Sequence, residues 1–165
     1  MGERPTPFST YSTVVREEWL DYNGHMHDAS YGIVFSDANE ELFAALGLSV
    51  DYSATARASL YTVECHIRYL AECSLGQPLR AATIVVAADA RKVRLYTELL
   101  HEDGRRAATG EFLYLHVDTA LGATTAMPTD RHDRVQDMLG AHAGLPRPSH
   151  LGLGVGAPRA GLRDT

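Results

Sequence analysis

The stretch Ala29-Ser-Tyr-Gly-Ile-Val-Phe-Ser-Asp-Ala-Asn-Glu-Glu-Leu-Phe-Ala-Ala-Leu46 decides how this chain is read. Tyr31, Val34, Phe35, Ala38, Leu42, Ala45 and Leu46 recur at three- and four-residue spacing, the period of one helix face. Asp28 or Ser30 can cap the start, and Gly47 stands where a left-handed residue ends a helix. Ile33 and Phe43 widen the apolar face. A helix apolar on several sides has to be wrapped by other elements.

The wrapping is found on both sides of the helix in sequence. Phe8 to Val15 is rich in Ser, Thr, Tyr and Val and reads as a first strand. After the helix, Leu48 to Ser59 is a connection with room for a short helical turn. Leu60 to Leu70 then alternates Tyr61, Val63, Cys65, Ile67 and Tyr69 against Thr62, Glu64, His66 and Arg68. Gly76-Gln-Pro78 breaks the pattern. Leu79 to Ala88 and Val93 to His101 follow as strands, with a turn at Asp89 to Lys92. Asp103-Gly104 is a hairpin signal, and Ala107 to Val117 completes the set. Four long strands joined by short turns predict an antiparallel sheet. Pro128-Thr-Asp130 opens a polar helical segment to about Leu139. Residues 140–165 are rich in Gly, Pro, Ala and Arg and are expected to be a flexible tail. The fold class is therefore α+β: one domain over residues 1–139, a curved antiparallel sheet around one long helix. Such a single layer leaves one face open for a second copy, so a homodimer or a dimer of dimers is expected.

Bulk properties narrow the partners. A chain of 165 residues with 45% apolar and 22% charged residues can bury a core without staples. Its formal net charge of -6 argues against nucleic-acid and anionic-membrane surfaces. Cys65 and Cys73 read as lying on one extended segment, roughly 26 Å apart, too far for a bridge. Reduced thiols, a cytoplasmic setting and no membrane span are expected. Met1 to Pro7 has no apolar signal core.

The chemistry gathers just before the helix, in Trp19-Leu-Asp-Tyr-Asn-Gly-His-Met-His-Asp-Ala-Ser-Tyr31. Asp21, Asn23 and His25 occupy alternate positions of a segment that Gly24 allows to turn; if the segment is extended, their side chains point one way. A carboxylate there can attack a carbonyl or activate water, while unpaired N–H groups of the helix hold a developing oxyanion. The pair His25 and His27, with Asp28 beside it, comes without further recognisable ligands to complete a metal site, so no metal is expected. No cofactor is implied. Cys73 reads as a small core residue and His116 as a buried structural histidine.

These residues resemble the hotdog-fold thioesterases of the 4-hydroxybenzoyl-CoA thioesterase type, over roughly Tyr11 to Pro128. The resemblance implies a catalytic aspartate at Asp21 and an oxyanion-binding backbone N–H at Asp28. The acyl-carrier-protein thioesterases are similar through Asp21-x-Asn23-x-His25 and the later Glu72-Cys73 pair, which makes Glu72 a second candidate carboxylate. A narrower likeness, to betainyl-CoA thioesterases, rests on Trp19-Leu-Asp-Tyr-Asn-Gly-His-Met, Arg68-Tyr-Leu-Ala-Glu72 and His116-Val-Asp118. Together these likenesses imply an acyl-CoA substrate hydrolysed by Asp21, Asn23, His25, Asp28 and Glu72. Trp19, Tyr22 and Tyr31, with His27, are the expected acyl contacts, aromatic faces being able to hold a trimethylammonium head. Arg91, Lys92 and Arg94 are the expected contacts to coenzyme A phosphates. Two alternatives stand beside hydrolysis: a hydratase or dehydratase on the same fold, and a non-catalytic acyl-CoA-binding module. In such hydratases the His falls one position later and a Pro precedes the hydrophobic spacer, a pattern from which Gly24 and His25 depart.

Overall fold

In a computed structural model, residues 6–153 are described. The long helix α1 runs Asp28–Ala45 and buries Tyr31, Val34, Phe35, Ala38, Leu42 and Phe43 on one side. Ile33 departs from expectation: it is 51% exposed, because its place on the helical wheel faces away from the Tyr31–Phe35 stripe. The start is capped by His27 rather than by Asp28 or Ser30, with the His27 side chain accepting from the Ala29 N–H. At the other end Gly47 takes φ +74°. The Gly47 N–H donates to the Ala44 carbonyl and the Leu48 N–H to that of Phe43. Those paired bonds are the Schellman closure that a left-handed glycine permits.

Around α1 curls one antiparallel sheet. Its strands are β1 (Ser12–Val14), β2 (Ala58–Tyr69), β3 (Pro78–Ala88), β4 (Lys92–His101), β5 (Arg106–Asp118) and β6 (Ala123–Thr124). The order across the sheet is β1-β3-β4-β5-β2, with β6 beside β5. This is the expected meander, plus one short strand that two residues could not signal. The Phe112 ring packs on Phe35 at 5.4 Å between centroids and Tyr114 on Phe43 at 4.8 Å. Gly110 is needed here, since a Cβ at that position would collide with the Phe112 ring.

The register of β2 slips between Thr62 and Glu64, leaving Val63 as a bulge. Cys65, Ile67 and Tyr69 pair with Phe112, Gly110 and Ala108, while Thr62 pairs with Tyr114. Tyr61 consequently falls on the face opposite Tyr69, although simple alternation puts both on one side. Cys65 lies on this strand, whereas Cys73 lies beyond its end and is fully buried; both are free thiols.

Two further helices close the ends. Helix α2 (Val50–Ala56) packs against β2, and α3 (Thr129–His142) against β3. The expected boundary at Gly140 falls inside α3. The helix continues because His142 is buried and its Nδ1 accepts the Val85 N–H at 3.0 Å, beside the β3 bulge. Of the expected tail, residues 154–165 lie outside the described residues. A chain of buried polar groups ties the layers together. Thr83 meets Thr97, the Thr97 hydroxyl donates to Asn39 Oδ1, and Asn39 Nδ2 donates to the Tyr114 hydroxyl. Among the described residues no helix is long and apolar enough to cross a membrane.

Candidate active site

Residues Trp19 to His27 form a tight hairpin rather than an extended run. The His27 N–H donates to the Trp19 carbonyl at 2.7 Å, the Asp21 N–H to His25 at 2.9 Å and the Gly24 N–H to Asp21 at 3.0 Å. Gly24 makes the turn possible at φ +77°, a conformation costly to a residue with a Cβ. The turn changes how the expected trio converges. Asp21 Oδ1 accepts from the Asn23 N–H at 2.8 Å and the His25 N–H at 3.4 Å; Asp21 Oδ2 accepts from Asn23 Nδ2 at 3.3 Å. Desolvation raises the carboxyl's pKa, but the hydrogen bonds from Asn23 and His25 and the nearby His27 outweigh it, so Asp21 lies below its ordinary value. Asp21 is thus a fixed, ionised carboxylate.

The hairpin is tied to the loop after β2. The Met26 N–H donates to the Cys73 carbonyl at 2.8 Å, and His25 bridges to Ser74. That junction brings His25 Nε2 to 3.4 Å from Glu72 Oε2, so the imidazole serves Glu72 and not Asp21. Glu72 and Cys73 sit in the connection beyond the end of β2. Burial holds the Cys73 thiol above its ordinary value, which suits packing rather than attack.

At the mouth of α1 the Ala29 N–H is shared by His27 Nδ1 at 3.1 Å and Asp28 Oδ1 at 2.8 Å. His27 Nδ1 and Asp28 Oδ1 are themselves 2.7 Å apart. A single nitrogen cannot do both jobs: protonated, it donates to Asp28; unprotonated, it accepts from Ala29. Among the described residues nothing accepts from the Asp28 N–H, which leaves it available to an oxyanion at the positive end of the helix.

Asp21, Asn23, His25, Asp28, Tyr31 and Glu72 all line one cavity of about 440 Å³. Met26, Tyr69, Leu70 and Ala71 line it too. Tyr69 was within reach of sequence reasoning, since it shares the inward set of β2 with Cys65 and Ile67; its nearness to the helix mouth depends on the sheet's curl. Its hydroxyl donates to the Asp28 carbonyl at 3.3 Å, and its ring meets Tyr31 at 5.1 Å and 80°. Burial, with the Cys73 contact, pushes the Tyr31 hydroxyl well above its ordinary value.

Other expected contacts lie elsewhere. Trp19 is in the core at 6% exposure, its ring under the Arg16 guanidinium at 4.8 Å, and Tyr22 is 97% exposed; neither lines the cavity. His27 is committed to the helix cap. Lys92 and Arg94 line a different cavity of about 750 Å³, paired with Asp89 at 3.3 Å and with Glu111. Arg94 is in register with Leu113 and Tyr69 with Ala108, five residues apart along β5 or roughly 17 Å. Arg91 is exposed on the β3–β4 turn beside them. Among the described residues no group of three or more His, Cys, Asp or Glu could hold a metal ion.

A family model described as the thioesterase-like superfamily matches residues 15–139, a span that carries the hairpin, α1 and every strand of the sheet except β1. The chain belongs to the thioesterase-like superfamily. This superfamily member is 34% identical over 151 residues to a betainyl-CoA thioesterase of Pseudomonas aeruginosa, covering 91% of this chain and 95% of that one. It is 42% identical over 159 residues to an L-carnitine dehydrogenase/betainyl-CoA thioesterase of Agrobacterium fabrum, covering 96% of this chain but only 32% of that longer protein. A Staphylococcus aureus protein solved in complex with CoA superposes with a TM-score of 0.88 at 27% identity, over 96% of this chain and 99% of that one. A thioesterase-named structure from Pseudomonas putida KT2440 gives 0.80 at 30% identity, over 92% and 97%. The thioesterase-like chain therefore has the hotdog fold expected of it.

Proposed function

We propose that this chain hydrolyses an acyl-CoA thioester to a carboxylate and free coenzyme A, with betainyl as the acyl group. The observation that carries the reaction is that Asp21, an ionised carboxylate accepting three hydrogen bonds, lines the same cavity as Asp28, whose N–H is unclaimed among the described residues. The thioester carbonyl oxygen points at the Asp28 N–H, where the helix end favours negative charge. Asp21 then delivers the oxygen nucleophile, either by attacking the carbonyl to form a mixed anhydride that water hydrolyses, or by drawing a proton from the attacking water. Glu72 and His25 form an exposed pair at the cavity's rim that orients the water. The thiolate leaves without help from a strong acid. The betainyl group is supported by relatives of that name in P. aeruginosa and A. fabrum.

The cavity lies at the end of β2, the edge strand of the sheet, along which Tyr61, Val63 and Tyr69 are half exposed. We read that edge as the seat of a second copy, which would complete the acyl pocket and bring other cations to the coenzyme A phosphates. Two free thiols fit the reducing cytoplasm.

The test is release of free thiol from betainyl-CoA, 4-hydroxybenzoyl-CoA and short straight-chain esters, with light scattering on the same sample. Thiol release and a dimer mass are expected. Enoyl-CoA consumption without thiol release would transfer the reading to hydration, and stabilisation by acyl-CoA without turnover would reduce the chain to a binding module.

A further inference from the structure

The geometry points to Tyr69 as the residue that makes the cavity select acyl groups carrying a quaternary ammonium, a role that rests on the thioester-hydrolase reading. Trp19 and Tyr22, the aromatics nearest the catalytic aspartate in sequence, are ruled out by position, one buried under Arg16 and the other in solvent. What lines the cavity is the pair Tyr31 and Tyr69, whose rings stand 80° apart with centroids 5.1 Å from each other. Two rings at a right angle make a corner, and a tetrahedral onium group can touch both sides of a corner at once. Tyr31 is buried and forms the inner side; Tyr69 is 51% exposed and forms the side that an entering acyl group meets.

Position supports selection. In a betainyl thioester one methylene separates the carbonyl carbon from the ammonium, so the cation has to lie beside whatever holds the carbonyl oxygen. Tyr69 meets this demand, because its hydroxyl donates to the carbonyl of Asp28, the residue whose N–H takes the oxyanion in the proposed reaction. A helix N-terminus by itself repels a cation. Here the Asp28 charge raises the Tyr69 phenol's pKa after burial has done so, and the Glu72 charge adds to the rise of Tyr31 behind burial, Cys73 and Tyr69. Negative charge beside each ring reinforces the attraction of its face for an onium group. The cavity lining holds no Lys or Arg, and its one basic group, His25, is turned to Glu72. A neutral group of the same shape gains the apolar contact and none of this field.

The experiment compares betainyl-CoA with 3,3-dimethylbutyryl-CoA, in which carbon replaces the nitrogen. In the wild type, kcat/KM should favour the cationic ester by roughly tenfold or more. Tyr69→Phe keeps the ring, and should lower both rates together while leaving their ratio intact. Tyr69→Leu should bring the ratio down about tenfold, chiefly through KM for the cationic ester. Progressively fluorinated phenylalanine at position 69 keeps the shape while thinning the ring's negative face, so the ratio should fall stepwise even if Tyr69→Leu fails to fold. A wild-type ratio near one, or a ratio untouched by Tyr69→Leu or by fluorination, overturns the assignment and leaves Tyr69 as packing between β2 and α1. Failure of the wild type to release thiol from either ester refutes hydrolysis instead. Calorimetric titration with the two esters then decides the selectivity alone, equal affinities overturning it and a tenfold difference supporting it.

Discussion

Replacing Gly24 by Ala should separate the cost of a strained turn from the cost of a displaced carboxylate. Gly24 has φ +77°, and a Cβ built there meets nothing within 4 Å. The penalty is therefore carried by the backbone alone, about 1–2 kcal/mol for a non-glycine residue in the left-handed region. Stiffening of the unfolded chain returns about 0.4–1 kcal/mol, leaving a net loss near 1 kcal/mol. In a domain of this size Tm should fall by roughly 2–4 °C. Gly104 provides the control, with φ +83° and equally empty surroundings in the β4–β5 hairpin. Gly104→Ala should cost the same stability and leave turnover unchanged. Gly24→Ala should in addition lower kcat by roughly 10- to 100-fold. The Asn23 and His25 N–H groups that hold Asp21 flank the strained residue, and displacements near 1 Å are that expensive in catalysis. Gly24→Asn, tolerated in the left-handed region, should recover part of both losses. Thermal melts and thiol-release kinetics on the three variants decide it. Full turnover in Gly24→Ala, with the same Tm loss as Gly104→Ala, would refute the claim that this turn aims the carboxylate.

Two more outcomes are expected from the core. Asn39→Ala removes the bonds to Tyr114 and Thr97 and leaves a void in a side chain only 1% exposed, so a loss of roughly 2–3 kcal/mol and 4–12 °C in Tm is expected from thermal melts. A change below 1 °C would mean the buried polar chain is dispensable. Burial holds the His142 imidazole below its ordinary value, and its Nδ1 must stay unprotonated to accept from Val85. The unfolded chain binds that proton more readily, so this contribution is complete above the ordinary value near 6.5 and is lost as pH falls through the lowered folded value. Unfolding midpoints at pH 7.5 and 5.5 should therefore differ more in the wild type than in His142→Gln; equal differences would exclude His142 from the acid response.

Periodicity carried the fold because each decisive element is long. Eighteen residues of α1 and strands of 10 to 13 residues repeat their patterns enough times to outweigh local exceptions. What it could not carry were features that depend on a partner far along the chain. The continuation of α3 past Gly140 rests on the His142 contact with Val85, 57 positions away. The bulge at Val63 is set by pairing with β5, and it moves Tyr61 to the other face. At the site, the types Asp21, Asn23 and His25 and the possibility of a turn at Gly24 were legible, but the backbone pairing of Trp19 with His27 and of Asp21 with His25 was not, since alternate spacing suits an extended segment equally well. The aromatic neighbours show the same limit. Trp19 and Tyr22 lie within two residues of Asp21 in sequence and are absent from its cavity, whereas Tyr69 reaches the helix mouth from β2, 41 positions beyond Asp28.

The most direct measurement is thiol release from betainyl-CoA by Asp21→Asn, alongside a melt of the same protein. Asparagine keeps an oxygen for the Asn23 and His25 N–H groups, so the hairpin should survive and Tm should move little. With no carboxylate to attack or to take a proton, kcat should fall by roughly 10²- to 10⁴-fold. A folded Asp21→Asn that releases thiol at the wild-type rate would contradict the account at its centre.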